Sequence, residues 1–121
     1  MIEDIRLLTL EDVKGYLRVE HSKEDVLIET MLEGAKSTVL SYLGVEDFDY
    51  YTHYYDGYGN IIKDRTIPKE FVIACLMLCG HWYERRELMT GKYEQGKQIP
   101  FGFEMLLRPH RHFMKGVEMM W

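Results

Sequence analysis

Histidines and carboxylates are the side chains of this sequence best suited to chemistry. His81 and Glu84 stand one helical turn apart at the end of an apolar stretch, and His110 and His112 flank Arg111. Catalysis and metal binding need such groups to converge at a recognisable spacing. The sequence has no H-E-x-x-H pair, no glycine-rich phosphate loop and no serine in a nucleophile elbow. We therefore predict a protein that is not an enzyme, with no catalytic residue and no cofactor.

Cys75 and Cys79 are the only cysteines, and they lie inside the apolar run FVIACLMLCG. No second cysteine or histidine pair completes a zinc pattern, so we expect reduced, buried thiols and no metal. The run is about half of the roughly 20 residues that a membrane-spanning helix needs. The amino terminus MIEDIRLL lacks the basic region of an export signal. We expect a cytosolic product that has no membrane partner.

The composition is that of an ordinary globular protein with an acidic surplus. The chain has 121 residues, enough for one domain over 1–121; 46% are hydrophobic and 29% charged, and the net charge is -5. This mixture fits neither a disordered chain nor a polycation. Because phosphates repel an acidic surface, tight binding of duplex DNA would need a local basic patch.

The first 44 residues predict two amphipathic helices. Thr9 and Asp12 imitate a capping box at the start of LEDVKGYLRV, which gives a short first helix. A long second helix is predicted to begin with Ser22 as its N-cap and to end at Gly44. Its apolar residues recur at helical spacing, so this helix needs a partner to cover them.

Two further helices are predicted after residue 66. Pro68 suits the first position of a third, strongly apolar helix that runs to about Leu88. A shorter fourth helix from Phe103 to Leu107 should stop before Pro109, because proline disfavours helical angles in the residue that precedes it. The fold class is therefore all-α, a small bundle of about four helices. The predicted core includes Leu32, Val39, Phe71, Cys75, Leu78 and Trp82.

Residues 45–66 break the helical pattern and predict an inserted, tyrosine-rich β-hairpin or extended loop. Tyrosine and isoleucine flank DGYGN, whose glycines and asparagine tolerate positive φ. Tyrosines concentrate at protein interfaces, and the interspersed carboxylates disfavour binding of single-stranded nucleic acid. A hairpin whose tyrosines cover the domain's own core is equally compatible with the sequence. The candidate contact residues are Tyr50, Tyr51, Tyr54, Tyr55 and Tyr58.

A second candidate surface is basic. Arg85 and Arg86 lie at the end of the third helix, and Arg108 and Arg111 lie near the start of a C-terminal appendage, 109–121. If the fourth helix folds back on the third, these arginines form one patch that could pair with protein carboxylates or DNA phosphates. The alternative is that Arg85 and Arg86 complement the helix dipole while the appendage is solvated.

The appendage is too apolar to be left in water. Phe113 and Trp121 begin and end a segment that also contains valine and methionines. Apolar side chains of this number should dock on a surface, which can be the chain's own domain or a neighbouring subunit. Methionine and tryptophan suit adaptable contacts with a neighbour.

Three segments, in this order, resemble small tailed-phage head-tail connector proteins, the adaptors that attach to the portal ring after DNA packaging. They are LTLEDVKGYLRVEHSKEDVLIETMLEGAKSTVLSYLG, IPKEFVIACLMLCGHWYERRE and IPFGFEMLLRPHR. The second is similar to an apolar helix that ends in W-Y-x-x-R, and the third to a proline-phenylalanine-glycine segment before a basic end. The resemblance covers most of the chain apart from the tyrosine-rich insertion and the last residues.

The resemblance implies a structural virion protein of the neck between head and tail. Such subunits form a ring, with twelve copies to match the portal, around a channel that DNA crosses without specific binding. The implied partners are further copies of the chain, the portal protein and a tail-completion or stopper protein. A net acidic surface suits a DNA conduit. The alternative hypothesis is a small helical packaging accessory protein that binds nucleic acid through the arginine patch.

Overall fold

A computed structural model describes residues 4–52, 54–55, 57–62, 66–85 and 101–111. This part of the chain is mostly helical, as predicted for an all-α bundle. Its α-helices are α1 (Leu10–Leu17), α2 (Asp25–Leu43), α3 (Glu70–Glu84) and α4 (Phe101–Leu107). Its 3-10 helices are η1 (Ile5–Leu7), η2 (Phe48–Thr52) and η3 (Arg108–His110), and its strands are β1 (Tyr54–Tyr55) and β2 (Ile61–Ile62). Within the described residues, no helix combines the length and apolar character needed to cross a membrane.

Helices α2 and α3 pack against each other in antiparallel directions. The Tyr83 hydroxyl, near the end of α3, donates a hydrogen bond of 2.5 Å to Glu24, just before α2. At the opposite end, the ring centroid of Phe71, in the first turn of α3, lies 6.1 Å from that of Phe48, which follows α2. The apolar faces of these two helices form most of the buried core, and α1 and α4 pack around the pair.

Helix α4 runs back along α3. Gly102 lies in the first turn of α4. Any other residue there would place its Cβ 2.7 Å from Cε of Met77, so the flexible end of the Met77 side chain would have to move. At the other end of α4, His110 contacts Glu70 at the start of α3. The carboxyl end of α4 therefore lies beside the amino end of α3.

The predicted helix boundaries of α1 and α2 are largely confirmed. Thr9 and Asp12 form the capping box, since the Thr9 amide donates to Asp12 Oδ2 at 2.9 Å and the Asp12 amide donates to Thr9 Oγ1 at 3.4 Å. Gly44 ends α2 with φ of 79°. The prediction of Ser22 as an N-cap is wrong. Helix α2 begins at Asp25, and Ser22 contributes only its backbone carbonyl, 3.4 Å from the Asp25 amide.

The boundaries of α3 and α4 differ in detail from the prediction. Helix α3 begins at Glu70, two residues after Pro68, and ends at Glu84 with Arg85 as its C-cap, so the prediction that it runs to about Leu88 is wrong. Helix α4 begins at Phe101 rather than Phe103. Helix α4 ends at Leu107, as predicted. Pro109 falls near the start of the 3-10 turn that follows, where the lack of an N–H on proline costs no hydrogen bond.

The sequence predicted a tyrosine-rich β-hairpin or an extended loop at 45–66, and a tyrosine-rich hairpin is not supported. Among the described residues, pairing joins two residues of each strand, Tyr54 opposite Ile62 and Tyr55 opposite Ile61. Tyr51, like its neighbour Tyr50, belongs to η2 instead. Spacing of aromatic residues alone does not separate an extended strand from a short helix of three residues per turn.

Helices α1 and α2 end in the same way but with different residues. Val19 donates its amide to the Lys14 carbonyl at 2.9 Å, and Val45 donates to the Leu40 carbonyl at 3.3 Å. This bond pattern requires a left-handed residue at the turn. In α2 that residue is glycine, whereas in α1 it is Arg18, with φ of 61° and ψ of 42°.

Replacement of Arg18 by glycine should therefore stabilise the fold. A residue with a Cβ in the left-handed region costs roughly 1 kcal/mol more than glycine. We expect Arg18→Gly to raise the free energy of unfolding by about 0.5 to 1 kcal/mol, measured by urea denaturation. The matched control is Gly44→Ala, which should lower the free energy of unfolding by about 1 kcal/mol. Equal stability of Arg18→Gly and the parent would contradict the assigned strain.

Candidate interaction surfaces

The last two described residues, His110 and Arg111, are held by contacts that we call the C-terminal anchor. His110 Nε2 lies 2.8 Å from Glu70 Oε2, and the Tyr51 hydroxyl donates to the His110 carbonyl at 2.7 Å. The Arg111 guanidinium lies over the ring of Tyr42, 4.5 Å from its centroid. Side chains from α2, η2 and α3 thus fix the point from which residues 112–121 continue.

Phe71 is the centre of the aromatic cluster beneath this anchor. Its fully buried ring lies 4.9 Å from that of Tyr51 and 5.3 Å from the imidazole of His110, both edge to face. Phe48 packs on the same ring. Phe48 and Tyr51 are three residues apart, so a 3-10 helix places both on the side of η2 that faces α3. Edge-to-face pairs of this kind add to the stability given by burial alone.

Ion pairs strengthen the same end of the molecule. The His110 imidazole beside Glu70 lowers the pKa of that carboxyl below its usual value. Arg6 pairs with Asp4 at 2.6 Å and with Asp49 at 2.7 Å, which ties η1 to η2. The Arg6 guanidinium lowers the pKa of Asp4, and the two carboxylates raise the pKa of Arg6.

A shallow hollow lies where α2 ends; we call it the α2-end hollow. Gly44, Val45, Glu46, Asp47 and Tyr50 line it, and its volume is about 360 Å³. The two carboxylates are exposed, and the Tyr50 side chain is half-exposed at 51%. Two carboxylates beside an aromatic face can accept a cation.

The opposite end of α2 presents a different surface, which we call the α1–α2 corner. Tyr16, Arg18 and Lys23 are exposed there. Beneath them Lys14, only 8% exposed, pairs with Asp25 at 2.7 Å and so joins α1 to the first turn of α2. This corner carries exposed cations, in contrast to the carboxylates of the α2-end hollow.

Comparison with known proteins connects this geometry to a family. The family described as "Phage gp6-like head-tail connector protein" has a model that matches residues 7–111, well over half of the chain. The chain belongs to this family. Searches of curated proteins and of solved structures found no match. The resemblance seen in the sequence is thus confirmed, and the connector has a structural role at the neck of a phage virion, between head and tail.

The predicted contact tyrosines of the connector differ in exposure. Tyr58 is 91% exposed and Tyr50 is half-exposed, but Tyr51 is buried with only 5% of its surface exposed. Tyr51 contributes to the connector's own core, one of the two roles that the sequence left open for the tyrosines. Tyr54 and Tyr55 form β1. Phe113 and Trp121 lie outside the described residues.

The predicted core residues occupy the α2–α3 contact. Leu32, Val39, Phe71, Cys75 and Leu78 are buried, whereas Trp82 is only partly buried and packs against the core from its edge. Both thiols are free and buried. A hydrogen bond with Cys79, together with burial, raises the pKa of Cys75, so its thiol stays protonated.

The structure divides the arginines that the sequence grouped into one patch. Arg108 and Arg111 lie at the amino end of α3, where His110 meets Glu70. Arg85 follows the other end of this 15-residue helix, about 22 Å away. Arg86 lies outside the described residues. Helix α4 does fold back on α3, but its antiparallel direction separates the basic residues instead of gathering them.

Sequence reasoning missed the residues that act over long distances along the chain. Tyr42 and Glu70 hold the C-terminal anchor, and Arg6 and Asp49 join η1 to η2. Each pair of partners is separated by 40 residues or more. No local spacing identifies such partners. Arg18 had a local signal, because its position after α1 matches that of Gly44 after α2.

Stability should depend on pH through Glu70. His110 lowers the folded-state pKa of Glu70 below the ordinary value of 4.5, so its carboxylate stabilises the fold above pH 4.5 and this contribution is lost as pH falls through the lowered pKa. Glu70→Gln should be less stable than the parent near pH 6 and equal to it in strong acid. The difference should stay below about 1 kcal/mol, since the Glu70 side chain is 42% exposed.

Urea denaturation at several pH values measures this difference. Glu104→Gln is the control. The Glu104 side chain is 47% exposed, and its carboxylate lies 4.0 Å from the Arg108 guanidinium, at the outer limit of an ion pair. The control should follow the parent at every pH. A Glu70→Gln profile parallel to that of the parent would contradict the pairing with His110.

Core truncations should distinguish the centre of the core from its edge. Phe71→Ala removes a fully buried ring and should lower the free energy of unfolding by about 3 to 5 kcal/mol. Trp82→Ala should cost less, about 2 to 3 kcal/mol, because Trp82 is only partly buried. Chemical denaturation gives both values. The reverse order would show that Trp82, and not Phe71, is the main core aromatic.

Proposed function

We propose that this connector forms a ring of twelve copies that docks on the portal protein after DNA packaging and leaves a channel for DNA to the tail. The observation that carries the proposal is the family match over residues 7–111. A tail-completion or stopper protein is its partner on the other side of the ring. The chain is made in the host cytoplasm and acts as a single domain over 1–121.

The electrostatics of the described residues support passage of DNA without specific binding. The net charge is -5, and several arginines already have partners within the chain. Arg6 pairs with two carboxylates, and Arg111 lies over Tyr42. Affinity for DNA rises with the number of phosphates that cations neutralise, so dispersed and internally paired arginines suit a conduit.

The C-terminal anchor supports a role for residues 112–121 in assembly. It holds His110 and Arg111 at a fixed place on the surface, and so the segment that follows starts from a defined point. We propose that the apolar appendage, including Phe113 and Trp121, contacts a neighbouring subunit or the portal. Tyr50, Tyr58 and Arg108 are exposed and belong to the same proposed contact surfaces.

Light scattering coupled to size exclusion tests the ring. The protein is measured alone and after mixing with its cognate portal protein. A ring, or a monomer that joins the portal in a fixed ratio, is the expected result. A monomer that ignores the portal would refute the proposal.

A mobility shift with duplex DNA tests the alternative, a nucleic-acid-binding accessory protein. No described surface gathers Arg85 with Arg108 and Arg111, so we expect no shift at physiological salt. A strong, salt-dependent shift that Arg108→Ala abolishes would favour the accessory protein instead.

A further inference from the structure

Arg18 is held in a backbone conformation that glycine adopts at lower cost. The matching position after α2 is glycine, so the turn itself does not require an arginine. Residues that have a Cβ and still adopt the left-handed region are found mainly at functional sites. The Arg18 side chain is exposed, and within the described residues it has no hydrogen bond or ion pair. The described part of the chain therefore leaves this guanidinium exposed and unengaged.

The α2-end hollow has the chemistry that recognises such a group. Arginine binds carboxylates through its planar fork of N–H donors and stacks on aromatic faces. Glu46 is exposed and has no ion-pair partner among the described residues. One oxygen of Asp47 accepts the Asp49 amide at 2.9 Å, which holds that carboxylate at the rim. The half-exposed ring of Tyr50 completes the lining.

Arg18 cannot reach the hollow of its own molecule. Helix α2, which separates the α1–α2 corner from the hollow, has 19 residues and is about 28 Å long. A contact between the two surfaces must therefore join two copies. Since the surfaces differ, each copy can offer its corner to one neighbour and its hollow to another. Contacts of this heterologous type generate rings when the rotation closes.

We propose that Arg18 of one copy binds in the α2-end hollow of the next copy, between Glu46, Asp47 and Tyr50. This inference rests on the proposed function and identifies the two faces through which the ring forms. Charge complementarity between Arg18 and the two carboxylates of the hollow, Glu46 and Asp47, favours a second copy as the occupant. Tyr16, 51% exposed beside Arg18, adds aromatic contact area.

The first test uses Arg18→Gly, which separates stability from assembly. The variant relieves backbone strain and removes the guanidinium, so unfolding should become harder while self-association weakens by about three- to fivefold. Sedimentation, with the cognate portal protein added if the free chain is monomeric, measures association. Arg85→Gln is the matched control, because Arg85 is also exposed near this end of the molecule and should assemble like the parent. Undiminished association of Arg18→Gly would overturn the proposal.

The second test links the two surfaces by a disulfide. The variant with both Arg18→Cys and Asp47→Cys should give a ladder of covalent multimers under mild oxidation, since each copy links to two neighbours. Arg85→Cys with Asp47→Cys is the control and should give no ladder. The native thiols are buried, so they do not compete.

The two tests distinguish this inference from the ring itself. If the parent assembles but the Arg18→Cys, Asp47→Cys variant gives no ladder, the assigned faces are wrong and the proposed ring still stands. A parent that stays monomeric even with the portal would overturn both. A ladder that stops at the dimer would also overturn the inference, because a two-fold contact does not propagate.

Discussion

The antiparallel contact between α2 and α3 is the interaction on which the rest of the structure depends. The buried side chains of α2 recur along one face, and α3 is apolar on most of its circumference. Helix α1 has eight residues and α4 has seven, and helices so short are not stable alone in water. They form because Val13 and Phe103 can be buried against the α2–α3 pair. That packing also places the candidate interaction surfaces.

Local physics made much of the fold predictable from the sequence. The capping box of Thr9 and Asp12 and the left-handed Gly44 each depend on a few neighbouring residues, and both were predicted correctly. The core stripe of α2 follows from helical periodicity alone. The prediction of Ser22 as N-cap was wrong because the backbone forms a turn between Ser22 and Asp25, and the helix begins only after that turn.

The candidate surfaces were harder to predict because they depend on which helix ends meet. Arg85 and Arg108 are 23 positions apart in a sequence of 121 residues, yet the antiparallel return of α4 leaves them at opposite ends of α3. The aromatic insertion posed the same problem. Tyr50 and Tyr51 are neighbours in sequence, but η2 turns one outward and buries the other against Phe71. Composition predicts that such residues make contacts, while topology decides with which partner.

Strain at Arg18 and carboxylates at the α2-end hollow are consistent with an assembly made of weak, repeated contacts. Sequences break a local rule mainly where function compensates for the lost stability. A single arginine with two carboxylates contributes little when exposed to water and salt. In a closed ring, however, every copy makes two such contacts at once. Once one contact has formed, the surfaces for the second contact have a higher effective concentration. A contact of this strength lets free subunits remain apart and associate when a template brings them together.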